Sequence, residues 1–318
     1  MEKLRVKFRN GERPTGCQSC WQEEDSGKTS KRQNSIYKMK KSLIDWTPNS
    51  EPTLKFIDFK LGNVCNLKCR ICGSWSSSKW AQEEIDYETA RGGDNPVARK
   101  QLKEGGWPKR NPQFFEELQE DLKYVEYFEF TGGEPFMIKD HFKILMHCVE
   151  KGYAKNIDIH YNTNGTHYPE QAEAIWKHFK TVEIAFSIDD LGSRFEYQRS
   201  NAVWSEVVFN IDRFRLLRED YPNIQLQCCS TVNVFNVRYI DQLAHWIVEQ
   251  QFDFVYWNMM HDAWYFSIAT LPDDAKTAIA DHLTSADVPA RYREEFDRIV
   301  EFMMKGASTD GNIMRMRI

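Results

Sequence analysis

The chain of 318 residues lacks any run approaching the roughly 18–20 consecutive apolar residues of a membrane-spanning helix. It also lacks a basic excess: 42 Lys and Arg stand against 47 Asp and Glu, a net charge of −5. That balance gives no electrostatic case for nucleic acid or an anionic membrane as partner. The first residues, Met1-Glu-Lys-Leu-Arg-Val-Lys-Phe-Arg9, have no apolar core of the kind a signal peptide carries. Neither an internal repeat nor a low-complexity tract is present. Eight cysteines are too few for a disulfide scaffold in a chain this long, so a reducing cytoplasmic setting is expected, where thiolates can hold metal. Hydrophobic content of 41% and charged content of 28% are those of an ordinary globular protein.

What is there is concentrated in a few places. Cys65, Cys69 and Cys72 form a C-x-x-x-C-x-x-C run. With 8 cysteines in 318 residues, that pattern arises by chance in roughly one such chain in 200. Three thiolates in one short loop can hold three irons of a four-iron, four-sulfur cluster and leave the fourth iron open. A zinc site is the competing reading. It wants four ligands, and Cys17/Cys20 with Cys69/Cys72 supply two C-x-x-C pairs, but 48 residues lie between the pairs, against roughly 15–20 in a zinc ribbon.

Downstream, Tyr127–Phe130 reads as a buried strand that runs into Thr131-Gly132-Gly133-Glu134. The cysteine triplet and this Gly-Gly-Glu turn together resemble the radical S-adenosylmethionine (radical SAM) superfamily. The resemblance implies a [4Fe-4S] cluster on Cys65, Cys69 and Cys72 whose open iron is chelated by SAM. It implies one-electron cleavage of SAM, fed by an external electron donor, to a 5′-deoxyadenosyl radical that abstracts hydrogen from a substrate. It also implies that Gly132, Gly133 and Glu134 bind the amino end of SAM. Glycines let backbone approach a ligand, and a carboxylate suits an ammonium. Ile71 departs from the family pattern, where an aromatic residue often precedes the third cysteine.

The coarse element pattern agrees. Residues 57–61, 125–130, 157–161, 182–187, 224–232 and 252–257 read as strands, separated by amphipathic helices near 138–150, 172–179, 204–217 and 237–250. Alternating strands and helices predict an α/β fold with a parallel sheet, curled by right-handed crossovers into a partial (βα)6 barrel. Residues 1–50 are expected to be a small irregular N-terminal module with one or two short helices. The barrel would span 51–260, and C-terminal helices would fill 261–318. Residues 91–112, rich in Gly and Pro, read as a long loop.

In parallel barrels the reactive groups collect at the C-terminal strand ends. Thr163 and Asn164 end the third strand, Ser187 and Asp189 the fourth, and Asn233 follows the fifth, while Arg199 lies twelve residues beyond Ser187. Each has two readings. Asn164-Gly165 is a turn signal or a SAM contact. Ser187 and Asp189 are helix caps or SAM contacts. Arg199 is a surface arginine or a fork for a carboxylate, and Asn233 is the weakest of the set.

Cys17-Gln-Ser-Cys20-Trp21, followed by Glu24, Gly27, Ser30 and Arg32, resembles a segment preceding the barrel in twitch or SPASM-like radical SAM proteins. There the module binds an auxiliary iron–sulfur cluster, with further cysteines upstream. This chain has none before Cys17, so the expectation is a shortened module in which Cys17 and Cys20 are auxiliary ligands, a reduced pair, or a zinc pair with outside ligands. Relatives of this kind commonly modify peptides, which makes a peptide or protein the expected substrate, with small sugars open. The rival functions are a non-enzymatic zinc protein that recognises a partner and a radical SAM methyltransferase.

Overall fold

The computed structural model describes residues 2–25, 29–39, 53–260 and 263–306. Gly27 and the expected boundary at 50/51 lie outside the described residues. Six strands form one sheet in the order β1-β3-β4-β5-β7-β8: β1 Phe56–Lys60, β3 Tyr127–Thr131, β4 Asp158–Thr163, β5 Thr181–Ser187, β7 Ile224–Val232 and β8 Phe254–Met259. Every pairing is parallel. β1 and β8 each pair on one side only, so the barrel is partial, not closed. A second, two-residue antiparallel ladder joins β2 Lys68–Cys69 to β6 Arg199–Ser200, setting Cys69 opposite Arg199.

Strand alternation sorts the side chains. On the outer face, Phe128, Phe130, Ile159, Tyr161, Ile184 and Phe186 are fully buried beneath helices. The covering helices are α8 His141–Glu150, α9 Ala172–Trp176, α10 Gly192–Gln198, α11 Trp204–Asp220 and α12 Ile240–Glu249. Trp176 and Phe214 pack with Phe136 and Tyr161 into one aromatic cluster. The inner face is polar instead. Asp58, Glu129, His160 and Glu183 stand level across four neighbouring strands. The last two helices are α13 Asp273–Ser285 and α14 Arg293–Lys305; Phe296 of α14 and Tyr292, in the turn just before it, pack against Trp257.

Two regions differ from expectation. The N-terminal module carries three helices, α1 Glu2–Arg9, α2 Gln18–Asp25 and α3 Lys31–Lys38. A capping box starts α3: the Ser30 side chain accepts from Gln33 N, and the Gln33 side chain accepts from Ser30 N. The supposed loop at 91–112 is largely helical. After α4 Ser78–Ala90 come α5 Pro96–Gly105, α6 Trp107–Arg110 and α7 Pro112–Leu118. Asn95 caps α5 by accepting from Ala98 N at 3.0 Å, and Pro96 occupies its first turn.

Candidate active site

The loop after β1 carries the cysteine triplet, and the turn after β3 carries Gly132 and Gly133. Both open on one cavity of about 250 Å³ at the C-terminal strand ends. Cys65, Cys69 and Cys72 line it together with Gly132, Gly133, Thr163, Asn164, Ser187 and Arg199. Nine of the residues singled out from the sequence therefore share one chamber.

Two of the thiols are set among N–H donors. Cys65 Sγ receives Leu67 N at 3.4 Å and Asn164 Nδ2 at 3.7 Å. Cys69 Sγ receives Arg199 Nη1 at 3.7 Å. Burial pushes the Cys65 thiol up to about 11. Cys69 is drawn down to about 7, first by hydrogen bonding from Cys72 and then by the Arg199 charge, while the same contact raises Cys72. Sulfur is a weak acceptor as a thiol, so N–H groups aimed at it suit a deprotonated, metal-bound state. Apolar Leu67 and Ile71 complete this wall, so the aliphatic residue before Cys72 still faces the chamber. Among the described residues, no group of three or more His, Cys, Asp or Glu side chains has the geometry of a single-ion site. Three cysteine sulfurs facing one chamber are the donor type that iron–sulfur clusters take.

Three predicted residues stand behind the wall. Glu134 is fully buried: Oε1 accepts from Thr163 Oγ1 at 2.8 Å and Phe136 N at 3.1 Å, and Oε2 from Asn164 N at 2.7 Å. It is not among the residues that line the chamber. It clasps the Gly-Gly turn to the end of β4, and burial pushes it up to about 7. Asp189, nearly fully buried, caps no helix. It accepts Arg199 Nε at 3.0 Å and Nη2 at 2.6 Å, and Thr231 N at 2.9 Å, aiming the guanidinium at Cys69. Arg199 is thus a buried, ion-paired residue and not a surface one. Asn233 is buried against Gln198 Oε1, Thr231 O and Phe235 N, outside the chamber. Gly165, at φ 76°, makes the turn after Asn164, and Asn164 itself lines the chamber.

Asn162, Thr231, Ser76 and Ser77 also line the chamber, without having been singled out as site residues. Asn162 and Thr231 were within reach, since both lie at inward positions of strand ends. Asn162 also borders a second cavity of about 420 Å³ between the inner sheet face and α3. Lys31 and Lys38 of α3 wall it opposite Glu129, His160, Cys229 and Tyr256. Lys31 Nζ meets Glu129 at 2.6 Å and Asp58 at 3.3 Å, pinning α3 to the lumen.

The N-terminal motif is folded on itself. Arg32 pairs with Glu24 at 2.5 Å and lies over the Trp21 ring at 4.3 Å, and Trp21 Nε1 donates to Pro14 O at 3.2 Å. Cys17 and Cys20 are half-buried and free, and among the described residues no third ligand joins them.

Among known protein families, residues 59–238 match the Radical SAM superfamily. No curated protein matches the chain by sequence. Among solved structures, native anSMEcpe with bound AdoMet and Cp18Cys peptide is 16% identical with a TM-score of 0.46, over 73% of this chain and 59% of that one. Streptococcus suis SuiB bound to S-adenosylmethionine is 16% identical with a TM-score of 0.40, over 79% and 50%. TYW1 with a lysine-pyruvate adduct bound is 11% identical with a TM-score of 0.39, over 71% and 72%. The chain thus spans 59% of the length of the first and 50% of the second. No helix among the described residues is long and apolar enough to cross a membrane. Since the family match covers more than half of its residues, this chain belongs to the radical SAM superfamily and is an enzyme.

Proposed function

We propose that Cys65, Cys69 and Cys72 hold a [4Fe-4S] cluster and that SAM binds beside it, against Gly132, Gly133, Thr163, Asn164, Ser187 and Arg199. One observation carries this reading: the three thiols and those six residues line a single chamber. When bound, cluster and SAM together supply a carbon radical able to take hydrogen from a substrate. The chain's own part is to bind, orient and shield. Arg199, held by Asp189, presents a fixed positive charge to the Cys69 side of the chamber and stabilises thiolate there. Glu134 keeps the Gly-Gly turn and residues 163–164 in register. Leu67 and Ile71 exclude water from the sulfurs.

The neighbouring cavity against α3 is the proposed substrate compartment, entered beside Asn162. Its volume of about 420 Å³ suits one or two side chains of a peptide, the substrate proposed on the likeness of residues 17–32 to twitch or SPASM-like modules. That module, the barrel of 51–260 and the extension of 261–318 are the proposed divisions of the chain. Eight free cysteines accord with a reducing, cytoplasmic setting and an external reductant. Cys17 and Cys20 would need donors from elsewhere to hold an auxiliary cluster.

Anaerobic reconstitution tests the assignment. The parent chain is expected to bind about four irons and to release 5′-deoxyadenosine when reduced with SAM. Retained cleavage in Cys69→Ala would overturn the ligand set. About eight irons per chain, falling to four in Cys17→Ala, would establish the auxiliary site. With a peptide substrate in hand, loss of hydrogen mass supports abstraction, and a gained methyl group supports the methyltransferase reading.

A further inference from the structure

The strand end that feeds the cysteine loop runs between two other segments with no side chain as spacer. On one side is the Gly132–Gly133 turn. A Cβ on Gly132 would lie 2.6 Å from Gly62 O, one on Gly133 would strike the Val64 carbonyl, and Glu134 N donates to Val64 O at 2.8 Å. On the other side is Gly105, the last residue of α5. A Cβ there would collide with the Asn63 side-chain amide, and a Cβ on Gly62, at φ 110°, would collide with the Gly105 carbonyl. The next residue, Gly106, has open space around its Cβ position. Of the Gly105–Gly106 pair, only position 105 demands glycine.

Asn63 ties these pieces together. It is 3% exposed, and its Nδ2 donates to Ser74 O at 2.8 Å and Gln101 O at 3.3 Å. Its backbone carbonyl accepts from Ser78 N at 2.6 Å. One residue before the loop therefore grips the residue just after it, the start of α4 and the body of α5. Its Oδ1 is buried without a donor and faces the Gly105 backbone. A buried amide left half-satisfied is costly, and such a cost persists where a close approach requires it.

We propose that the α4–α5 insertion braces the cysteine loop, with Asn63 as the positioning residue and Gly105 as the contact that admits it. The role as a brace for cluster ligands rests on the ligand reading above, whereas the mechanical coupling does not. The test compares Gly105→Ala, Gly106→Ala, Asn63→Ala and the Gly105→Ala/Asn63→Ala double variant with the parent chain. In the reduced, metal-free protein, N-ethylmaleimide labelling of Cys65, Cys69 and Cys72 is followed by peptide mass, with buried Cys148 as the reference for global opening. Gly105→Ala and Asn63→Ala are expected to speed labelling of the three by about tenfold, a local opening, while Cys148 holds steady. Gly106→Ala should match the parent. The double variant should label no faster than Asn63→Ala, because the amide that the added methyl group strikes is gone. In reconstituted protein, the electron paramagnetic resonance spectrum of the reduced cluster should change in Gly105→Ala and not in Gly106→Ala. Equal labelling in the two glycine-to-alanine variants overturns the proposal, as does a matching acceleration of Cys148. If no variant and no parent takes up iron, the cluster reading fails while the labelling comparison still decides the brace.

Discussion

At the scale of single residues, the site is an arrangement of charges around sulfur. Arg199 illustrates the stakes. Its Nε and Nη2 hold Asp189, and its Nη1 faces Cys69, all out of water. Arg199→Ala leaves the Asp189 carboxylate buried without a counter-charge, a loss of about 3–5 kcal/mol measurable by urea unfolding. Arg199→Lys restores charge but not the two-pronged grip, so it should recover part of that stability and still shift the reduction potential of the bound cluster. Cys69→Ala should leave stability nearly unchanged in the metal-free chain while removing iron uptake, read by iron and sulfide analysis. Part of this was legible in the sequence: type and spacing marked Cys65, Cys69 and Cys72, and the resemblance to the radical SAM superfamily marked the Gly-Gly turn. Side-chain direction was not legible. Glu134, Asp189 and Asn233 lie at the right ends of the right strands, yet backbone N–H groups and Arg199 draw them inward. Asn162 and Thr231 turn the opposite way and line the chamber instead.

Elements were readable where a strong apolar period met a tight turn. The six strands and helices α8 and α12 all carry such a period, and all are present. Helices α4, α5 and α10 are present without having been expected from the sequence. In 91–112 the glycines and prolines suggest loop, but Asn95-Pro96 is a helix start and Gly105-Gly106 a helix end. Helix α8 also carries a consequence for pH. His141, at its start, is fully buried, bonded to Ile138 O at 2.5 Å and to the Tyr161 hydroxyl at 3.0 Å. Burial pushes its imidazole down to about 3. The folded state thus holds fewer protons than the unfolded state between pH 6.5 and 3, and stability present above pH 6.5 is lost as pH falls toward 3. At pH 5 the deficit is about 2 kcal/mol from this group. Between pH 7 and pH 5 the unfolding free energy of the parent chain should fall by about 2 kcal/mol relative to that of His141→Gln, read by urea unfolding. An equal fall in the two proteins would contradict the assignment.

For the whole molecule, the open sheet leaves a polar lumen, and the N-terminal module closes part of it. Lys31 bridges α3 to Glu129 and Asp58, and Lys38 Nζ donates to the Tyr127 hydroxyl at 2.5 Å. Lys31→Glu replaces attraction by repulsion and should loosen α3, raising maleimide labelling of Cys229, which lines the shared cavity. Unchanged labelling would mean that α3 is held by other contacts. Nothing in the sequence announced this docking, because it joins Lys31 to Glu129 across 98 positions. In the other chamber, on the proposed reading, three sulfurs leave one iron of a cluster free for SAM. The most direct measurement is electron paramagnetic resonance of the reduced, reconstituted protein with SAM isotopically labelled at its amino and carboxylate groups. Hyperfine coupling from those nuclei to the cluster is the predicted result. A metal centre whose spectrum does not respond to SAM, with its coordination filled by side chains, would contradict the account.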